Sequence, residues 1–231
     1  MFFESILVEK RKVELRMDVN RFKAVLFDLD GTLINSEWLG TESYNYGIQK
    51  ILNREINEVE KQYLLGKPFK ALSDLFPYLS SIETEKIIEE TLDYYRKYNH
   101  MIKEYDGIKE MLQILKEKGF KLGLVTAKLK QNATKELQNT GLYPFFEVVM
   151  GKEDCQDFKP SPVPLLQLAE KLNVRPIECL YVGDQPTDIQ ATHSANMISV
   201  AALWGEGKTE RLSPLNPTFL FNNPYQLTQL L

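Results

Sequence analysis

The stretch FDLDGTLINS, residues 27–36, begins on the last residue of the apolar run KAVLF (23–27) and sets two carboxylates, Asp28 and Asp30, just beyond it. Rich in Val, Leu and Phe, the run reads as a short strand buried on both faces. Side chains two apart on a strand point the same way, so Asp28 and Asp30 are expected to project together into one small volume. Like charges that close raise one pKa strongly unless a cation sits between them or one acid stays protonated. A solvated turn accounts for Gly31, since Asp and Gly are ordinary turn residues, but not for the pair of acids.

The rest of the chain limits what could balance them. Its 231 residues are 43% hydrophobic, which suits one large domain or a core with a smaller inserted module. A net charge of -4 argues against a nucleic-acid binder, which normally presents a basic stripe, so any phosphate site must be locally cationic. Cys155 and Cys179 lie too far apart for a CxxC motif and form a poor disulfide framework. With His100 and His193 as the only histidines, a zinc site built on several imidazoles is excluded. Chemistry must rest on carboxylates, lysines and hydroxyls, in a reducing, cytoplasmic setting.

No apolar stretch approaches the length needed to cross a bilayer, so no membrane partner is expected. MFFESILVEKRKVELR at the amino terminus fits neither a signal nor a transit peptide. Residues 1–20 are expected to be a peripheral extension, with Met17 as an alternative start whose use leaves activity intact. The expected assembly is a monomer or a homodimer.

Beyond the first strand the spacing becomes helical. SEWLGTESYNYGIQKIL (36–52), FKALSDLFPYL (69–79) and TEKIIEETLDYYRKYNHMIKEY (84–105) read as an all-helical insert, broken at LLGKPF (64–69) and at Pro77. After YDGI (105–108) strands and helices alternate. Helix 108–119, strand 120–127, helix 130–141, strand 146–151, helix 161–173, strand 179–184, helix 186–195 and strand 198–203 imply βαβ units with right-handed crossovers. The tail adds a strand at 218–221 and a helix capped by Asn223. The expected fold is α/β: a doubly wound, Rossmann-like parallel sheet from 21–34 and 105–231, with an inserted all-α cap domain at 35–104.

Open parallel sheets bind ligands outside the carboxyl ends of their strands. There the sequence places Asp28, Asp30, Thr126 and Asp184, with Asp188 one helical turn further on and Lys159 in DFKPSP. Several carboxylates and no imidazole suit a hard cation that keeps some of its waters, Mg²⁺ being the usual one. With that charge balanced, Asp28 could stay ionised and attack phosphorus. Asp30 could protonate the leaving oxygen and then deprotonate the attacking water. Gly31 would let backbone approach the phosphate, and Thr126 would offer a hydroxyl donor.

Taken together, FDLDGTL, VTAK, FKPSP and VGDQPTDI resemble, in order and spacing, the four motifs of the haloacid dehalogenase-like hydrolase superfamily. The chain looks most like its phosphoglycolate phosphatase-like members, whose helical cap lies between motifs one and two. That resemblance covers about residues 22–231. It implies Asp28 as nucleophile and Mg²⁺ ligand, and Asp30 as acid/base that also offers its backbone carbonyl to the metal. Thr126 and Lys159 would hold the phosphoryl group, Asp184 would complete the metal site, and Asp188 would support it. The residues QP inside GDQPTD are unusual for the family but leave both acids in place. The implied activity is a Mg²⁺-dependent phosphatase acting on a small phosphorylated metabolite, such as phosphoglycolate or pyrophosphate, through an aspartyl-phosphate.

Alternatives remain at this level. A sugar phosphomutase of the same superfamily keeps Asp30 but usually departs from the DGTL form of residues 30–33. A receiver-type signalling domain would carry its phosphorylated Asp on a middle strand and lack the insert. A non-catalytic phosphate-binding module would be expected to lose a motif acid, and none is lost. The cap is expected to close over the site and select the leaving group, with Lys67 and Lys70 as candidate contacts to an anionic substrate. Trp204 could lie near the site, while His193 and the cysteines read as structural.

Overall fold

A computed structural model describes residues 19–64 and 69–231 of the chain. It divides into two compact units, one comprising the chain up to Leu33 with Glu104–Leu231, the other Ile34–Lys103. The expected amino-terminal extension falls almost wholly outside the described residues, as does Lys67; the side chain of Lys70 is likewise outside them. No helix among the described residues is long and apolar enough to cross a membrane.

In chain order the strands are β1 (Ala24–Phe27), β2 (Ile34–Asn35), β3 (Lys103–Glu104), β4 (Lys121–Val125), β5 (Val148–Met150), β6 (Cys179–Gly183), β7 (Ile198–Ala202) and β8 (Phe219–Phe221). Six of them form one sheet in the order β5-β4-β1-β6-β7-β8, every pairing parallel. The chain winds outward from β1 through β4 to β5, then returns to lay β6 on the other side of β1. Connections leave β1 and β6 in opposite directions, so the crevice of this doubly wound α/β sheet opens at their carboxyl ends.

The short apolar runs become strands because both faces of the central sheet are covered: every residue of β1 and of β6 is buried. On one face Leu165, Leu168, Ala169 and Leu172 pack with Ala24, Leu26 and Tyr181; the first three belong to the helix Val163–Lys171. Removing each of these leucines from water contributes roughly 1.5–3 kcal/mol. The helix Ile108–Glu117 buries Ile108, Met111, Leu112 and Leu115, the spacing of one helical face.

The second unit carries α1 (Glu37–Leu52), α2 (Glu58–Leu64), α3 (Lys70–Leu75) and α4 (Ser81–Tyr98). Its own core joins Tyr44, Ile48, Ile56, Leu64, Leu72, Phe76 and Ile87. Helices α1 and α4 pack closely at Gly47, where a Cβ would collide with Thr91 Oγ1 and the Ile87 carbonyl. A capping box starts α4: the Glu83 N–H donates to Ser80 Oγ at 3.3 Å and the Ser80 N–H to Glu83 Oε2 at 2.9 Å.

The insert carries helices as expected, and a short strand marks each of its two ends. The helix expected to run to Tyr105 ends at Tyr98, and after a 3₁₀ turn at Asn99–Met101 the residues Lys103–Glu104 form a two-stranded sheet with Ile34–Asn35. Here strand pairing between segments distant in sequence outweighs local helix propensity. The stretch 69–79, expected to break at Pro77, is helical over Lys70–Leu75, and α2 lies ahead of it at Glu58–Leu64.

Candidate active site

The remaining helices are α5 (Ile108–Glu117), α6 (Lys130–Asn139), α7 (Val163–Lys171), α8 (Pro186–Ser194), α9 (Thr209–Leu212) and α10 (Tyr225–Leu230). Parallel register pairs Phe27 with Val182, and the Asp28 N–H continues it by donating to the Val182 carbonyl at 3.0 Å. This brings Asp28, just past β1, beside Asp184, just past β6. Asp188 lies in the first turn of α8. Carboxylate oxygens of Asp28, Asp184 and Asp188 all lie within 4.8 Å of one another, and all three residues are buried.

The Lys159 ammonium bridges two of them, donating to Asp28 Oδ1 and Asp188 Oδ1 at 2.6 Å each and to the Tyr181 hydroxyl at 2.9 Å. Burial works against its charge, but Asp188 and Asp28 outweigh that and hold its pKa well above the ordinary value. Two of the three clustered acids pair with this ammonium. Burial pushes the Asp28 carboxyl up to about 7, with Lys159 opposing and Asp188 adding to the rise. Burial also raises Asp184 well above the carboxylate range, and the charges of Asp28 and Asp188 raise it further.

Asp184 is held on both oxygens. Thr32 Oγ1 donates to Oδ1 at 2.7 Å and Gln185 Nε2 donates to Oδ2 at 2.7 Å. Thr32 is fixed in turn by Trp204, whose Nε1 donates to the Thr32 carbonyl at 2.8 Å. Between Asp28 and Thr32 the backbone turns at Gly31, with φ of +76°. A Cβ at Gly31 would lie 2.5 Å from Asp184 Oδ2, so both the turn and the close approach require glycine.

The charge of Asp30 adds to the rise at Asp28, but the two acids of the opening motif take different partners. Regular β1 structure ends at Phe27, so the period-two rule lapses before Asp30. The Asp28 carboxylate joins Asp184 and Asp188, whereas Asp30 Oδ1 pairs with Lys128 Nζ at 2.6 Å. Lys128 also reaches Glu136 Oε2 on α6 at 2.6 Å. Thr126 follows β4, is buried, and accepts the Lys128 N–H on its hydroxyl at 3.2 Å.

The cluster fits a hard divalent cation. Its donors are all carboxylate oxygens, and the acids outnumber the ammonium among them, so an added positive charge offsets both burial and repulsion. Asp28, Asp184 and Asp188 are the side chains that could hold it; the Asp30 carboxylate pairs with Lys128.

Residues 25–202 match the haloacid dehalogenase-like hydrolase family. The chain belongs to that family. It is 33% identical over 216 residues to pyrophosphatase PpaX of Bacillus cereus, covering 91% of this chain and 97% of the relative. Against PpaX of Bacillus pumilus it is 31% identical over 209 residues, 88% of this chain and 94% of the relative. A crystal structure described as a predicted phosphoglycolate phosphatase from Haemophilus somnus superposes with a TM-score of 0.83 at 25% identity, covering 91% of this chain and 98% of the other.

Within this family member, motif reading missed several residues that the fold brings against these side chains. Lys128 was quoted inside VTAK, but a lysine near a strand end is ordinarily a solvated charge. Tyr181 sits mid-strand and reads as core; its hydroxyl matters because Lys159 is brought to it from 22 positions away. Gln185 reads only as an unusual spacer between two acids, and Glu136 only as one residue of the expected helix 130–141. His193 has the structural role expected, with Nε2 3.0 Å from Ser199 Oγ. Cys155 and Cys179 are free, and only Cys179 is fully buried.

Proposed function

We propose that this family member is a Mg²⁺-dependent phosphohydrolase that cleaves inorganic pyrophosphate or a small phosphomonoester such as phosphoglycolate, through a covalent phosphate on Asp28. The observation that carries this is the Lys159 bridge between Asp28 and Asp188, at 2.6 Å to each, with Asp184 in the same cluster. It gathers a nucleophile, a cation and further acids at the crevice where α/β sheets take ligands. Asp28, Asp184 and Asp188, with the backbone carbonyl of Asp30, would hold the ion. When bound, Mg²⁺ supplies positive charge against the transferring phosphoryl oxygens.

An Asp28 oxygen attacks phosphorus and the bond from phosphorus to the leaving oxygen breaks, while Asp30 gives that oxygen its proton. Asp30 then takes a proton from water; the water oxygen attacks the same phosphorus, and the bond to Asp28 breaks, releasing phosphate and restoring both acids. Lys159 holds Asp28 in place and meets phosphoryl oxygen charge, and Thr126 offers its hydroxyl to the same group. Lys128, 2.6 Å from Asp30, sets a second cation beside the group that protonates the leaving oxygen. That placement favours an anionic leaving group such as phosphate, in agreement with the pyrophosphatase names of the relatives.

The test is phosphate release from pyrophosphate, phosphoglycolate and a panel of small phosphoesters, with Mg²⁺ and with chelator, for wild type and Asp28→Asn. Turnover is expected to require both Mg²⁺ and Asp28. Equal activity in the Asn variant would sink the nucleophile assignment, and no turnover on any substrate would sink the hydrolase reading.

A further inference from the structure

Gln185 touches two of the three clustered acids at once. Its backbone N–H donates to Asp188 Oδ2 at 2.9 Å, and its side-chain Nε2 donates to Asp184 Oδ2 at 2.7 Å. The far end of the same amide is engaged too: Arg211 Nη2, on α9, donates to Gln185 Oε1 at 2.8 Å.

The order of these three groups is dictated by chemistry. A guanidinium has only donors, an ionised carboxylate only acceptors, and a primary amide one of each end. Arg211 therefore demands the amide oxygen, which leaves the amide NH₂ facing Asp184. A reversed amide would set NH₂ against guanidinium and oxygen against carboxylate, losing both bonds. The backbone that carries Arg211 is anchored by its neighbour Leu212, which is fully buried in a cluster with Ile189 of α8 and Ala201 of β7.

We propose that Gln185 and Arg211 form a positioning relay that presets the Asp184 carboxylate for the divalent cation, with Arg211 acting only through the amide. Thr32 holds one Asp184 oxygen and Gln185 the other, so the carboxylate cannot rotate away when the cation is absent. Outer groups of this kind typically account for about 10- to 100-fold in metal affinity. This inference rests on the cation-binding reading of Asp28, Asp184 and Asp188.

The experiment is calorimetric titration of Mg²⁺ into wild type, Gln185→Met, Arg211→Met, the double variant and Asp184→Ala, with phosphate release measured in parallel. Gln185→Met keeps the side chain's length and the backbone bond to Asp188 while deleting both amide groups. It is expected to weaken Mg²⁺ binding about 10-fold, with kcat returning near wild type at saturating Mg²⁺. Arg211→Met is expected to weaken binding less, and the double variant to bind no more weakly than Gln185→Met alone. Binding within twofold of wild type in Gln185→Met, or effects that multiply in the double variant, would overturn the relay. Should Gln185→Met fail to fold, Arg211→Met decides: unchanged Mg²⁺ affinity there overturns the proposal. Asp184→Ala separates the two readings, because undiminished Mg²⁺ binding in that variant would defeat the cation site itself.

Discussion

Lys128 Nζ lies 2.6 Å from Glu136 Oε2, and the Glu136 side chain is 1% exposed. A carboxylate that deep needs its cation, since a buried charge stripped of its partner is far more costly than the pair is stabilising. The same ammonium reaches Asp30, so one lysine ties the buried end of α6 to the proposed acid/base.

Lys128→Met is therefore expected to lower stability by about 3 kcal/mol, read as a shift in the urea midpoint at unchanged slope. Adding Glu136→Leu to it should recover much of that loss, because replacing both partners by apolar groups removes the buried charge together with its ammonium. Phosphate release should stay impaired in the double variant, as Asp30 still lacks its lysine. A double variant no more stable than Lys128→Met would show that Glu136 depends on other neighbours.

Gly31→Ala should harm metal binding more than stability. The left-handed backbone at φ +76° costs a residue with a Cβ about 1–2 kcal/mol, a modest fraction of a domain's stability. The new methyl, however, meets the Asp184 carboxylate at 2.5 Å and must displace it. Calorimetry should find Mg²⁺ affinity reduced well beyond what the loss in melting temperature suggests; wild-type affinity would mean that Asp184 yields without consequence.

The parallel sheet and the strand ends were legible in the sequence because they depend on short-range patterns: apolar runs, their alternation with helical spacing, and acids that interrupt a run at its end. Asp28, Asp184 and Lys159 could be picked out for that reason. Tyr181, Glu136 and Gln185 could not, since each is an ordinary residue for its local element and gains a role only from what the fold brings against it. The failure at Lys103–Glu104 has the same origin. A two-residue strand exists only by virtue of a partner some seventy positions away, and local periodicity carries no trace of it.

At the opposite end of β6, Glu178 offers a pH test removed from the catalytic chemistry. Arg175 and Lys23, at 2.9 Å and 2.7 Å from its Oε1, hold its carboxyl down to about 2 from an ordinary 4.5. Because the folded value lies below the unfolded one, its contribution to stability is complete above about 4.5 and fades as pH falls towards 2. Glu178→Gln should thus be less stable than wild type near neutrality, and the gap should close progressively below pH 4.5. Denaturant curves at neutral and acidic pH measure it, and a gap independent of pH would refute the ion-pair account.

Asp184→Asn separates stability from function at the acidic cluster. Without a metal, three buried acids stand together while one ammonium pairs with two of them, an arrangement that favours binding a cation at the expense of the empty fold. An amide fits the same space: its oxygen can accept from Gln185 while its NH₂ donates to Thr32, whose hydroxyl can turn to accept. In chelator the variant is expected to be more stable than wild type by about 1–2 kcal/mol, the usual gain when a strained functional group is relieved. Mg²⁺ should raise the melting temperature of wild type through mass action and leave that of the variant nearly unmoved, with phosphate release abolished. A variant less stable than wild type in chelator would show that the carboxylate of Asp184 is a net structural asset even without its cation, and that crowding among these acids is already relieved within the fold.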